Sequence, residues 1–171
     1  MTEYFKIGKI VASFGLKGEV ILKHNLGKKT SLKGLQTIFI EERKQGFLPW
    51  FIETTKIKNE EELYLKLEGI DVREQAISLT QKEIWIPEND FKKFSAKSSP
   101  INLLGYEVVE NENILGTILE IIEQPHQLLC RIEVAEKEVL IPLHEGTIKK
   151  IDRRNNRVIV ELPEGLLEIY L

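Results

Sequence analysis

Residues 87–100 read PENDFKKFSAKSSP, a polar stretch with a proline at each end and no apolar repeat of period 2 or 3.6. Strand-like segments flank it on both sides, so it reads as a linker between two compact units. Charge divides at about the same place. Residues 1–95 hold 16 Lys/Arg against 14 Asp/Glu, net +2, whereas residues 96–171 hold 8 against 13, net −5. The expected organisation is a first module over 1–87, a linker over 88–100 and a second module over 101–171. The competing arrangement is one domain with a long surface loop, and the apolar patterns on each side must decide.

On the N-terminal side, Tyr4 to Ala12 places Phe5, Ile7 and Val11 on one face and Lys6 on the other, which reads as a half-buried strand. Gly15 and Gly18 mark a tight corner before a second strand, Glu19 to His24. Asn25 to Gly34 is a lysine-rich loop. Gln36 to Glu42 and Gly46 to Lys58 read as strands, and Pro49 gives the latter an edge or bulge character. Glu61 to Glu68 alternates, with Leu63, Leu65 and Leu67 turned inward. Asp71 to Leu79 is the one helix expected, with Asp71 as its cap and Glu74 at the reciprocal capping position. Glu83 to Pro87 closes a module of about six strands, the pattern of a small β-barrel.

Beyond the linker, strands are expected over Leu104 to Glu110, Ile114 to Ile122, Leu128 to Val134, Glu138 to Pro142 and Arg157 to Leu162. Glu145 to Asp152 reads as a helical turn or loop. Five short strands at near-regular spacing make a second small barrel. The fold class is therefore all-β, two small β-barrel domains on a short linker, with one short helix in the first.

Composition excludes more function classes than it selects. No apolar run approaches the roughly 20 residues needed to span a bilayer, and the first residues, MTEYFKIGK, contain no secretory apolar core. Cys130 is the only cysteine, so no intrachain disulfide and no thiolate zinc site is expected. Together these point to the cytoplasm. His24, His126 and His144 fall in separate elements without a metal-ligand spacing. There is no Gly-x-Ser-x-Gly elbow, no dinucleotide fingerprint and no spaced carboxylate pair. Gly27-Lys28-Lys29-Thr30 has Leu22 where a P-loop needs its first glycine. Two basic clusters stand out instead: seven lysines within residues 1–33, and Lys149, Lys150, Arg153, Arg154 and Arg157. Such clusters on an acidic chain are the footprint expected of local phosphate contact.

Seven segments occur in one order: GKIVASFGLKGEV (8–20), LEGIDVREQAISL (67–79), LLGYEV (103–108), LGTI (115–118), VLIP (139–142), IKKID (148–152) and VELPEGLL (160–167). As a set they resemble the ribosome maturation factor RimM family over nearly the whole chain. The resemblance implies an N-terminal barrel like those of translation factors, a C-terminal PRC-type barrel, and no catalytic activity, metal or cofactor. It implies a protein that binds free small ribosomal subunits, engages the nineteenth small-subunit ribosomal protein, acts late in maturation of the head and supports processing of small-subunit ribosomal RNA. A monomer without a membrane partner is expected.

The residues offered for partner contact are Lys17, Lys28, Lys29, Lys33 and Arg73 for phosphate or protein. Many members of the family carry an aromatic pair where this chain has Ser98, Ser99 and Pro100, and Phe91, Phe94 and Tyr106 are the candidates to replace it. Gly15, Gly18, Gly105 and Gly165 are read as turn glycines. Ile77 and Gln81 replace a frequent Glu and Gly of the family, which suggests an altered helix end. The alternative reading, a barrel that carries a flavin or similar small molecule, rests on strand content alone.

Overall fold

The computed structural model describes residues 2–96 and 100–171; Lys97, Ser98 and Ser99, in the expected linker, lie outside the described residues. The chain divides into two compact units, Met1–Asn102 and Leu103–Leu171.

The first unit is a closed barrel of six strands: β1 (Tyr4–Phe14), β2 (Glu19–His24), β3 (Thr37–Arg43), β4 (Gly46–Ile57), β5 (Glu62–Leu67) and β6 (Glu83–Pro87). Their order is β1-β2-β5-β4-β3-β6, with β6 returning to β1. Alternation dictates which side chains fill it. Leu63, Leu65 and Leu67 of β5, Val20 and Leu22 of β2, Ile38 and Ile40 of β3 and Ile84 and Ile86 of β6 are all buried. Each buried Leu or Ile contributes about 1.5–3 kcal/mol. Pro49 sits where β4 pairs with β3 alone, since β4 reaches β5 only from Ile52 onward, so its missing N–H interrupts no ladder on the open side.

Three local expectations change. Along β1 the buried residues are Ile7 and Ile10, not Phe5, Ile7 and Val11, because register shifts at Lys6/Gly8 and Ile10/Ala12 break the two-residue phase. Helix α1 (Arg73–Ser78) is capped by Gln75, whose Oε1 accepts from the Asp71 N–H at 2.8 Å and the Val72 N–H at 3.3 Å. The Asp71 carboxylate turns instead to Lys66 Nζ at 3.0 Å. Finally, the stretch read as a linker begins with a second helix, α2 (Glu88–Phe94), packed on β1 and β6. Phe91 and Phe94, three residues apart, are buried on its inner face, and the Phe91 ring meets that of Phe5 at 4.9 Å. After α2 the Ala96 N–H donates to the Leu26 carbonyl at 2.8 Å, and Asn102 Oδ1 accepts from the buried Ser95 hydroxyl at 2.8 Å. One 3-10 turn covers Pro100–Leu103.

The second unit is a six-stranded sheet made of β7 (Glu107–Glu110), β8 (Asn113–Gln124), β9 (Gln127–Val134), β10 (Lys137–Pro142), β11 (Ile148–Asp152) and β12 (Arg157–Val160). In hydrogen-bonded order it runs β10-β9-β8-β7-β12-β11, with β12 parallel to β7 and every other pair antiparallel. The segment Glu145 to Asp152, expected as a helical turn or loop, contains the sixth strand, β11. Long β8 serves two neighbours: Asn113–Thr117 pair with β7 and Ile118–Gln124 with β9. Gly116 lies at that change of partner, where a Cβ would stand 2.7 Å from the Glu133 carbonyl. The core gathers Val108, Ile118, Cys130, Ile132, Val139, Ile141, Val158 and Val160. A last helix, α3 (Leu166–Tyr170), follows Gly165 and packs on β10.

Candidate interaction surfaces

The lysine-rich loop after β2 is built from the inside. Leu26, Leu32 and Leu35 are buried, and between them Thr30 Oγ1 accepts the Leu32 N–H at 3.0 Å. Pinning three leucines inward turns Lys28, Lys29 and Lys33 out to solvent, and none makes an ion pair with a described residue. Lys93 of α2 joins them, its ammonium 3.8 Å from the point where Gly34 would carry a Cβ. Sequence reasoning missed Lys93 because it was placed in a linker; the signal was the Phe91/Phe94 spacing that makes α2 amphipathic. Carboxylates stand nearby too, with Glu61 4.0 Å from Lys23.

Lys17 and Arg73 belong to another place. The Gly15–Gly18 turn lies at the opposite end of β2, six residues and about 20 Å of strand away. Gly18 takes φ 86° and passes so close to the segment before α1 that a Cβ would meet the Ile70 carbonyl at 2.1 Å. That contact seats the turn beside α1, so Lys17 and Arg73, both exposed, mark the same end of the barrel. The five cations are therefore two groups, not one.

The aromatic candidates separate likewise. Phe91 and Phe94 are 2% and 7% exposed, so they fill the interior and offer no anchor on the surface of this unit. Tyr106 is half-buried at the start of the second sheet. Ser98 and Ser99 lie outside the described residues. An unanticipated aromatic group sits on the outer face of the barrel: Tyr4 contacts Phe39 at 4.7 Å and Phe47 at 4.4 Å, and Phe47 contacts Trp85 at 5.2 Å. Its members come from β1, β3, β4 and β6, and only the closed strand order assembles them. Gly15, Gly105 and Gly165 adopt φ of 66°, 81° and 81°.

No group of three or more metal-ligating side chains occurs among the described residues. His24 is buried, and burial lowers its pKa below the ordinary value while Glu61 opposes the shift. Cys130 is buried in the second sheet, and its thiol is pushed up to about 12 by desolvation, which makes it a poor nucleophile. No helix of the described residues is long and apolar enough to cross a membrane.

Two family models match the chain: the RimM N-terminal domain over residues 5–91 and the RimM PRC barrel domain over residues 100–166. The chain belongs to the RimM family. A relative from Christiangramia forsetii is 32% identical over 171 residues, covering 99% of this chain and 97% of its own. One from Flavobacterium psychrophilum is 31% identical over 169 residues, covering 98% and 97%. Both carry the name ribosome maturation factor RimM. A solved RimM structure from Pseudomonas aeruginosa is 22% identical and covers 94% of this chain and 98% of its own, with a TM-score of 0.41. The first RimM model ends inside α2, at Phe91, so the helix that sequence reading gave to a linker begins within the matched domain.

Proposed function

We propose that the protein is a non-enzymatic maturation factor of the small ribosomal subunit, acting in the cytoplasm as a monomer. On this reading it binds the free small subunit late in assembly of the head and supports processing of the small-subunit ribosomal RNA. The acidic second unit meets a basic partner, the nineteenth small-subunit ribosomal protein, by complementary charge. The exposed lysines of the first unit, Lys28, Lys29, Lys33 and Lys93 at one end and Lys17 with Arg73 at the other, meet RNA phosphates.

The observation that carries this reading is full-length kinship with two proteins named ribosome maturation factor RimM. The charge asymmetry between the halves of the chain and the inert Cys130 agree with it. Co-sedimentation with purified free small subunits at moderate salt is the test. The protein is expected in the subunit peak; its absence there would defeat the proposal.

A further inference from the structure

The second unit segregates its charge. Within Leu103–Leu171, residues 149–157 carry five basic side chains and one acidic, net +4, while the rest carries two basic and twelve acidic, net −10. The two cations outside that segment are engaged. Arg131 bridges Glu120 and Glu138, each at 3.1 Å, and Lys137 Nζ donates to the Leu171 carbonyl at 2.8 Å.

The basic segment is the β11–β12 hairpin. Lys149 pairs with Glu161, and Arg157 pairs with Glu107 at 2.9 Å. Lys150, Arg153 and Arg154 are exposed and make no ion pair with a described residue. The turn's own carboxylate is occupied in shaping it. Asp152 accepts from Asn155 Nδ2 at 2.8 Å and from the Asn155 N–H at 3.2 Å.

Edge protection explains only part of this pattern. β11 ends the sheet order, and lysines on an edge strand discourage pairing with another chain. The register shift between Ile148 and Lys150 leaves both Lys149 and Lys150 exposed there. Arg153 and Arg154, however, lie beyond the last pair, Asp152 with Arg157, where no edge is left to guard. Two adjacent guanidiniums on a hydrogen-bonded turn present planar donor forks that match phosphate oxygens. The surrounding net −10 repels a polyanion from the rest of the unit, so an approaching one is steered to the hairpin.

We propose that the β11–β12 tip, through Lys150, Arg153 and Arg154, is a contact for the phosphate backbone of RNA. The unit thus carries one basic finger on a surface otherwise suited to a basic protein. The choice of RNA among polyanions rests on the ribosome-assembly reading above.

The test compares the full chain with the triple variant Lys150→Gln, Arg153→Gln, Arg154→Gln, using protein-free small-subunit ribosomal RNA from about 50 to about 200 mM salt. The side chains are exposed, so circular dichroism is expected to show the same fold. The variant should bind about tenfold or more weakly at the low-salt end, with a log–log salt slope smaller by about 2 to 3. Lys137→Gln, which removes one charge of the same unit outside the hairpin, should change the slope by less than about 1. An unchanged affinity and slope in the triple variant overturns the assignment. So does hairpin-dependent binding to phosphatidylcholine–phosphatidylglycerol vesicles in preference to RNA. If the triple variant shows the expected RNA loss yet the wild-type chain fails to co-sediment with free subunits, the hairpin stands and the ribosomal reading falls. Co-sedimentation with an unchanged RNA slope has the reverse meaning.

Discussion

The two units solve the same problem, burying one face of a small sheet, in different ways. The first closes its sheet, so every strand has two neighbours over part of its length and the aliphatic side chains meet in one interior. The second ends at β10 and β11, and the last strand carries charged residues where the first unit has partners. Closure uses up edges and leaves loops and outer faces for contact. An open order leaves a hairpin standing at its margin, and charge collects there. The same difference predicts how the units tolerate change.

The largest contrast lies in two glycines. A Cβ on Gly8 of β1 would stand 1.9 Å from the Lys23 carbonyl and 2.8 Å from the His24 Cα. A Cβ on Gly116 of β8 would meet the Glu133 carbonyl at 2.7 Å. In a closed barrel β2 cannot back away from β1 without straining its ladder to β5. Gly8→Ala is therefore expected to cost about 3 kcal/mol or more, and Gly116→Ala, in the sheet with free ends, about 1 kcal/mol. Both tryptophans, Trp50 and Trp85, lie in the first unit, so their fluorescence in a denaturant titration reports on that unit, while circular dichroism reports on both. Equal losses, or a larger loss for Gly116→Ala, would remove the distinction between closed and open sheets.

The closed unit was also the more legible. In Glu62–Leu67 the alternation survives intact, and three leucines point inward as the period of a strand requires. Where bulges intervene the phase is lost, as at Ile10, which is buried although Val11 fits the running pattern. Bulges depend on the neighbouring strand and leave no mark in a single segment. β11 was hidden for a related reason: two successive lysines break the alternation that its register shift accommodates. α2 had a readable signal, Phe91 and Phe94 one turn apart with Glu88 and Lys92 ion-paired at 2.7 Å, but a polar composition outweighed it. The lysines of the candidate surfaces were visible as residues. That they form two groups depends on which loops share an end of the barrel, which only the strand order decides.

A second contrast concerns pH. His24 is buried in the first unit, whereas His126 and His144 of the second are exposed. His24 Nδ1 accepts the Leu26 N–H at 3.3 Å, which puts the proton of the neutral ring on Nε2. Burial lowers its folded-state pKa, with Glu61 partly opposing. As pH falls below the ordinary histidine range the unfolded chain takes up the proton first, so stability is present above about 6.5 and declines on acidification toward the folded pKa. The slope from this one group is at most about 1.4 kcal/mol per pH unit. Tryptophan-monitored stability should decline between about pH 7.5 and 5.5, and His24→Asn, whose Oδ1 can replace Nδ1 as acceptor, should flatten the decline. A slope unaltered by that substitution would place the sensitivity elsewhere.

The smallest contrast compares two left-handed residues beside short helices. The second unit enters α3 through Gly165 at φ 81°, a conformation that costs glycine nothing sterically. The first unit leaves α1 through Gln81 at φ 71°, where the backbone N–H donates to the Ile10 carbonyl at 2.7 Å. That hydrogen bond ties the helix exit to β1 and holds a side-chain-bearing residue in a region it occupies at a cost of about 1 kcal/mol. Gln81→Gly should relieve the strain and keep the bond, raising the stability of the first unit by up to about 1 kcal/mol, less the added freedom of glycine in the unfolded chain. Gly165→Gln should do the opposite in the second unit by a similar amount, since open space at that site leaves only the backbone conformation to object. If Gln81→Gly destabilises instead, the glutamine side chain supports the helix exit through a contact that outweighs its φ, and the altered end of α1 is a stabilising feature of this chain.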